Sequence, residues 1–238
     1  MGARRAGAAE GGTRPRRMGR PPMADREAVI AAALGIGFSG LSMPAVGERL
    51  GVSHSTLYRY FPSRDALAAA AADHAVRAIE WPEAGDDWRA FLDATAWAHW
   101  SLHAANPGLA KEITALRLTC PALVDRDNRT GVVLLGFGFA PRDAALIVDM
   151  LAELVIQAFL AVPPAPRSGD GGEDARGGSG EQSVDAVQRR RRELIEPWMS
   201  AFDPRLGHVL AEAVAGPPAD WFERKLNLFL LGVAALPH

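Results

Sequence analysis

The stretch from Leu41 to Leu67 constrains this chain more than any other. Within it, two short runs of helical periodicity meet at Gly51: Val46 and Leu50 face inward on the first, Leu57 and Phe61 on the second. Ser42 is placed to cap the first helix and Ser53 the second, while Gly51 can take the positive φ that a sharp join requires. Two short helices around such a turn predict a helix-turn-helix, whose second helix enters the major groove of DNA with its N-terminal residues against base edges. His54, Ser55, Thr56 and Tyr58 lie on the first turns of that helix, away from Leu57 and Phe61, and each can exchange hydrogen bonds. Arg59 and Arg64 can reach phosphates. The same pattern also suits a helical hairpin whose polar residues merely face water.

Charge is divided along the chain in a way that favours the first reading. Residues 1–64 hold ten arginines against four acidic residues, so that a segment of +6 precedes a remainder of −8, within a net charge of −2. A basic N-terminal third on an acidic body is the expected signature of a phosphate-binding module joined to a separate domain. Six of those arginines precede Pro21, in residues 1–23, whose Gly, Arg and Pro content predicts a disordered arm. Such an arm either touches DNA or is a solvated tail.

The rest reads as helix after helix. Asp25 caps a first helix through Val29, Ile30, Ala33, Leu34, Gly37 and Phe38, with Gly40 as its stop; a fourth, alanine-rich helix runs from Arg64 to about Glu80. Further helices are expected at about 88–104, 107–119, 121–136, 141–162 and 219–235, with a basic helix around Arg189 to Arg192 leading into the stretch 203–215. Residues 163–183, rich in Pro, Gly and Ser, predict a flexible loop. The fold class is therefore all-α, with residues 24–72 as the helix-turn-helix domain and 73–238 as a helical body. Asp149, Glu153 and Gln157 put a polar stripe on the longest apolar run, which argues for a packed helix rather than a membrane span. A single cysteine, Cys120, and the lack of a secretory apolar core suggest the cytoplasm.

Gly51-Val52, Thr56-Leu57-Tyr58, Tyr60-Phe61 and Ser63-Arg64-Asp65-Ala66-Leu67 resemble the DNA-binding signature of the tetracycline-repressor (TetR) family, over about residues 25–75. The resemblance implies a transcriptional repressor that binds a palindromic operator as a homodimer and is released by a small-molecule inducer. It also implies a groove-facing set of His54, Ser55, Thr56 and Tyr58, with Tyr60 and Arg64 at the DNA backbone and Met43 and Pro44 among the DNA-binding residues. Pro44 departs from the polar residue that many members carry there, and donates nothing. Base readout then falls more heavily on the third helix.

Trp88-Arg89-Ala90-Phe91-Leu92 and Trp221 to Leu236 resemble the fifth and last helices of the tetracycline-repressor branch itself, and 163–183 its mobile loop. In that branch the last helix and the helix before the loop form the dimer interface, here Ala219 to Ala235 and Ala144 to Val162. The resemblance places Glu80, Thr95, His99 and Ile113 at the inducer pocket. His103 is a further polar handle and Trp100 an aromatic wall. Ile113 stands where that repressor has a metal-binding histidine, so a magnesium-tetracycline ligand is not expected, nor any cofactor.

Other readings share these residues. His99 and His103, at i and i+4, could hold a transition metal in a metal-sensing repressor, although no HExxH glutamate accompanies them. A transcriptional activator of the same fold fits equally. An enzyme does not: Gly136-Phe137-Gly138 lacks a preceding strand and a third glycine, and no nucleophile elbow is present.

Overall fold

The computed structural model describes residues 25–115, 120–160 and 192–237, and every regular element among them is helical. Helices α1 (Arg26–Ile36), α2 (Met43–Leu50) and α3 (His54–Tyr58) form a head, from which α4 (Arg64–Arg77) leads away. The body holds α5 (Trp88–Ala105), α6 (Leu109–Thr114), α7 (Pro121–Gly136) and α8 (Pro141–Leu160), followed by a 3₁₀ turn at Glu196–Ala201, α9 (Pro204–Ala215) and α10 (Pro218–Val233). The expected arm, the expected loop at 163–183, and Arg189 to Arg191 of the basic helix lie outside the described residues.

Local chemistry sets most helix starts. Asp25 accepts from the amide of Ala28 at 2.8 Å, Ser42 from Ala45 at 3.3 Å and Ser63 from Ala66 at 3.1 Å, each satisfying a donor that the first turn leaves open. Helix ends differ from expectation where a nearer group closes them. α1 stops at Gly37, not Gly40, because the Gly37 amide returns to the carbonyls of Ala33 and Leu34, which frees Phe38 to turn into the core. α3 ends at Tyr58, short of Phe61, where the Tyr60 amide donates to Leu57 in a tight turn. α4 ends at Arg77 rather than near Glu80, since the Trp81 indole folds back to donate to the Val76 carbonyl at 2.9 Å. α6 occupies only part of the expected 107–119 segment, being entered through Gly108 at φ 89°.

Two apolar clusters organise the core. The first joins the head to its neighbours: Val29, Val46, Leu57 and Leu67 pack with Leu102 of α5 and Leu109 of α6. Leu92, Leu134, Ile147, Leu151, Phe222 and Leu226 make the second, within the body. Each such side chain contributes about 1.5–3 kcal/mol when fully buried. Among the described residues, no helix is long and apolar enough to cross a membrane.

Candidate nucleic-acid interface and the body behind it

Gly51 ends α2 in the left-handed conformation, φ 64° and ψ 32°, so the chain reverses sharply into α3. The Val52 amide then returns to the Gly47 carbonyl at 3.0 Å and fixes the turn. Leu57 and Phe61 anchor α3 from beneath, both buried, while His54, Ser55 and Tyr58 face out, with Tyr58 51% exposed. Ser53 stands at the N-cap position, but its hydroxyl bonds those of Ser55 (2.9 Å) and Thr56 (3.1 Å) rather than a backbone amide. The result is a small, preformed cluster of donors and acceptors at the N-terminus of an exposed helix, which is the end a major groove receives. Tyr60 is half-buried and Pro44 exposed beside them.

Two residues of the expected DNA-facing set point elsewhere. Met43 is 4% exposed and packs in the head core, because the first position of α2 looks inward. Arg64 is turned away from the outer surface of the head. Its Nη1 and Nη2 donate to the two carboxylate oxygens of Glu112, at 2.6 and 2.8 Å, and further bonds reach the Leu41 and Phe38 carbonyls. This forked ion pair ties the start of α4 to α6. A second tie lies beside it: the Ser39 amide donates to the Pro107 carbonyl at 3.3 Å, and Gly108 comes so close that a Cβ there would stand 2.6 Å from the Ser39 nitrogen. Only glycine fits that contact at that φ. A third tie is Asp73 of α4, which accepts from the Ala122 amide at 2.8 Å and so caps α7 from outside. Its pairing with Arg77 holds the Asp73 carboxyl below the usual range.

The expected inducer residues divide as well. Thr95, His99 and His103 form a buried polar stripe on α5, with Trp100 half-buried next to it. They sit at the seam of the two clusters, His99 edge-on to Trp81 (4.8 Å between centroids) and His103 against Phe159 (5.5 Å). Burial pushes His99 down to about 3 and His103 to about 4, so both are neutral near pH 7. Thr95 spends its hydroxyl hydrogen on the Phe91 carbonyl. Glu80 does not join them: with α4 ended at Arg77 it faces solvent, and Trp81 takes the inward place. Ile113 is half-buried against the first cluster instead. Among the described residues, no group of three or more His, Cys, Asp or Glu side chains is placed to hold a metal ion.

Residues 30–71, the head and the start of α4, match the family model described as bacterial regulatory proteins, tetR family. Over 218 residues the chain is 29% identical to the class A tetracycline repressor of transposon 1721 from Escherichia coli, covering 87% of this chain and 88% of that one. The head thus matches a TetR-family domain, and the chain is similar to TetR-family proteins over most of its length. The solved structure of a possible TetR family transcriptional regulator from Streptomyces coelicolor A3(2) superposes with a TM-score of 0.67 at 25% identity, over 89% of this chain and 99% of that one. The fold is shared too by Streptomyces coelicolor ActR in complex with actinorhodin, with a TM-score of 0.66 at 21% identity over 89% and 95% of the two chains.

Within the body, sequence reading passed over Glu112 and Arg126. Nothing in its neighbourhood marks Glu112, since its partner lies 48 residues away. Arg126 sits in Asp125-Arg126-Asp127-Asn128-Arg129, which reads as a solvated charge run. Its register with Ala122, Thr130 and Leu134 was the available signal, since those four share the buried face of α7.

Proposed function

We propose that this TetR-family protein is a ligand-responsive transcriptional repressor, which binds a palindromic operator as a homodimer and is released by a small-molecule inducer. The observation that carries this reading is the outward face of α3, where His54, Ser55, Thr56 and Tyr58 are displayed on a base locked by Leu57 and Phe61. Tyr60 and Pro44 flank that face and complete the proposed contact set. Dimerisation is supported by apolar side chains left exposed on two body helices, Leu146 and Met150 on α8, Leu228 and Leu231 on α10. Exposed apolar surface of this kind marks association sites. The inducer is assigned to the seam, near Thr95, His99, Trp100 and His103. One family relative, ActR, carries actinorhodin in its complex, which supports a ligand role for such a body.

Release follows from how α4 is held. Arg64 ties its first turn to α6, and Asp73 ties its third to α7, so a ligand that shifts either body helix shifts α4 and with it the head. In a dimer that changes the spacing of two recognition helices on a stiff duplex. By linkage, operator DNA weakens inducer binding by the same factor.

Selection from a pool of randomised duplexes tests the reading. The expected product is a palindrome, its half-sites about one helical turn apart, bound by two chains, with affinity falling steeply with salt. Enrichment of no sequence, or of a single half-site bound by one chain, would contradict it. A footprint overlapping the promoter supports repression; one upstream supports activation.

A further inference from the structure

Arginine is out of place at Arg126. It occupies the buried stripe of α7 and is only 9% exposed, where a guanidinium is stable once carboxylates or carbonyls take up its N–H groups. Here its Nε and Nη2 are buried without a hydrogen-bond partner, and among the described residues no carboxylate pairs with it. Asp125 and Asp127, its neighbours in sequence, act on it only at a distance. What surrounds it is aromatic: its Cζ lies 4.8 Å from the centre of the Trp81 ring and 6.0 Å from that of Phe91. The same Trp81 ring meets His99, and one turn further along α5 the Nδ1 of His103 is another buried atom without a partner. Three orphaned polar atoms therefore lie in the part of the body already assigned to the inducer.

We propose that Arg126 is the receptor for a carboxylate on the inducer, and that the inducer is accordingly an aromatic or other largely apolar monoacid. The inference rests on the ligand-responsive reading and narrows it. Nε and Nη2 carry the two parallel N–H groups on one edge of the guanidinium, the edge that matches both oxygens of a carboxylate. Leaving that edge free in a buried site is costly unless something else completes it, so the unfilled valences specify the ligand group. Trp81 and Phe91 hold the guanidinium plane by cation–π contact, and Trp100 and Phe159, 4.7 Å apart, offer an apolar wall beyond His103. His103 can exchange one more hydrogen bond, with a hydroxyl or carbonyl of the ligand. Since His99 and His103 are neutral, Arg126 is the charged member of this buried group, which favours a ligand that carries an anionic group.

The test uses the full-length protein with Arg126→Met and Arg126→Lys, and benzoate, 2-naphthoate and anthracene-9-carboxylate as probes, each beside its uncharged amide. Quenching of tryptophan fluorescence gives each dissociation constant. Wild type is expected to bind at least one acid about 10- to 100-fold more tightly than its amide. Arg126→Met removes that preference while retaining operator binding, and Arg126→Lys, a point charge without the fork, keeps a fraction of it. The ligand-free melting temperature supplies a readout that needs no probe: it rises in Arg126→Met if an uncompensated charge has been removed. No acid preferred over its amide by wild type, a preference that survives Arg126→Met, or a fall in the ligand-free melting temperature of Arg126→Met would each overturn the assignment. Operator release by an amide as readily as by its acid would do so too, while leaving the ligand-responsive reading intact.

Discussion

The head and the seam of the body bury their polar groups in opposite ways. In the head the buried positions are apolar, Val29, Val46, Leu57 and Phe61 among them, and the polar side chains of α3 are outside, with the hydroxyls of Ser55 and Thr56 bonded to that of Ser53. The seam instead buries Thr95, His99, His103 and Arg126 and leaves three nitrogen atoms unpartnered. A surface that reads DNA is preformed and complete before its partner arrives. A site that senses a ligand gains most from occupancy if it is incomplete without one, because binding then adds stability to the state it selects.

The sharpest way to break this comparison is to change one buried residue in each region, an apolar one in the head and a polar one in the seam. Leu57→Ala, in the tightly packed head, is expected to cost about 2–5 kcal/mol in urea unfolding and to abolish operator binding. Thr130→Val, in the seam, removes only a hydroxyl that donates to the Arg126 carbonyl, and is expected to cost less than about 1 kcal/mol. Equal losses would mean that the buried polar bonds of the seam hold the fold as firmly as the apolar packing of the head.

Acid is expected to act through the seam next. His99 and His103 have folded values of about 3 and about 4, below the ordinary 6.5, so the unfolded chain binds protons that the folded one refuses. Their contribution is intact above about pH 6.5 and is lost as pH falls toward the folded values. Asp127 works the other way: burial raises it to about 6, so between its ordinary 3.8 and that value the folded state holds the extra proton. With two groups opposed by one, stability should fall by about 2–3 kcal/mol from pH 7 to pH 5. Replacing both histidines with asparagine should reverse the slope in the Asp127 window, and an unchanged profile in that variant would place the acid sensitivity outside the seam.

A smaller effect is expected where the two regions meet. Glu112→Gln removes the charge from a fork whose carboxylate is buried, and should cost about 2 kcal/mol in unfolding while weakening the response of operator affinity to ligand. A cost under about 0.5 kcal/mol would show the pair behaving like an ordinary surface ion pair.

The head was legible in the sequence because its chemistry is local. Ser42, Gly51 and Ser63 act within four residues of themselves, and Leu57 and Phe61 repeat at helical spacing. Even there, the end of α1 was misplaced, since Gly37 and Gly40 are equivalent as sequence and only the burial of Phe38 chooses between them. Met43 and Arg64 were assigned to DNA for their position in a motif, whereas packing decides where a side chain points. The seam was half legible. The stripe of Thr95, His99 and His103 follows from helical spacing, but Arg126 lies on another helix, where the charged residues on either side of it mask its register with Ala122, Thr130 and Leu134. Glu80 was lost to a helix end that a tryptophan indole determines.

The division of labour between head and seam is the central claim, and operator affinity measured side by side in two variants tests it most directly. The duplex is the one selected by wild type, and the readout is fluorescence anisotropy at fixed salt. Thr56→Ala with Tyr58→Ala is expected to weaken binding by about 10- to 100-fold or more while leaving the melting temperature near that of wild type. Arg126→Met is expected to bind the same duplex as wild type does. Operator binding that survives the first variant and fails in the second would contradict the account.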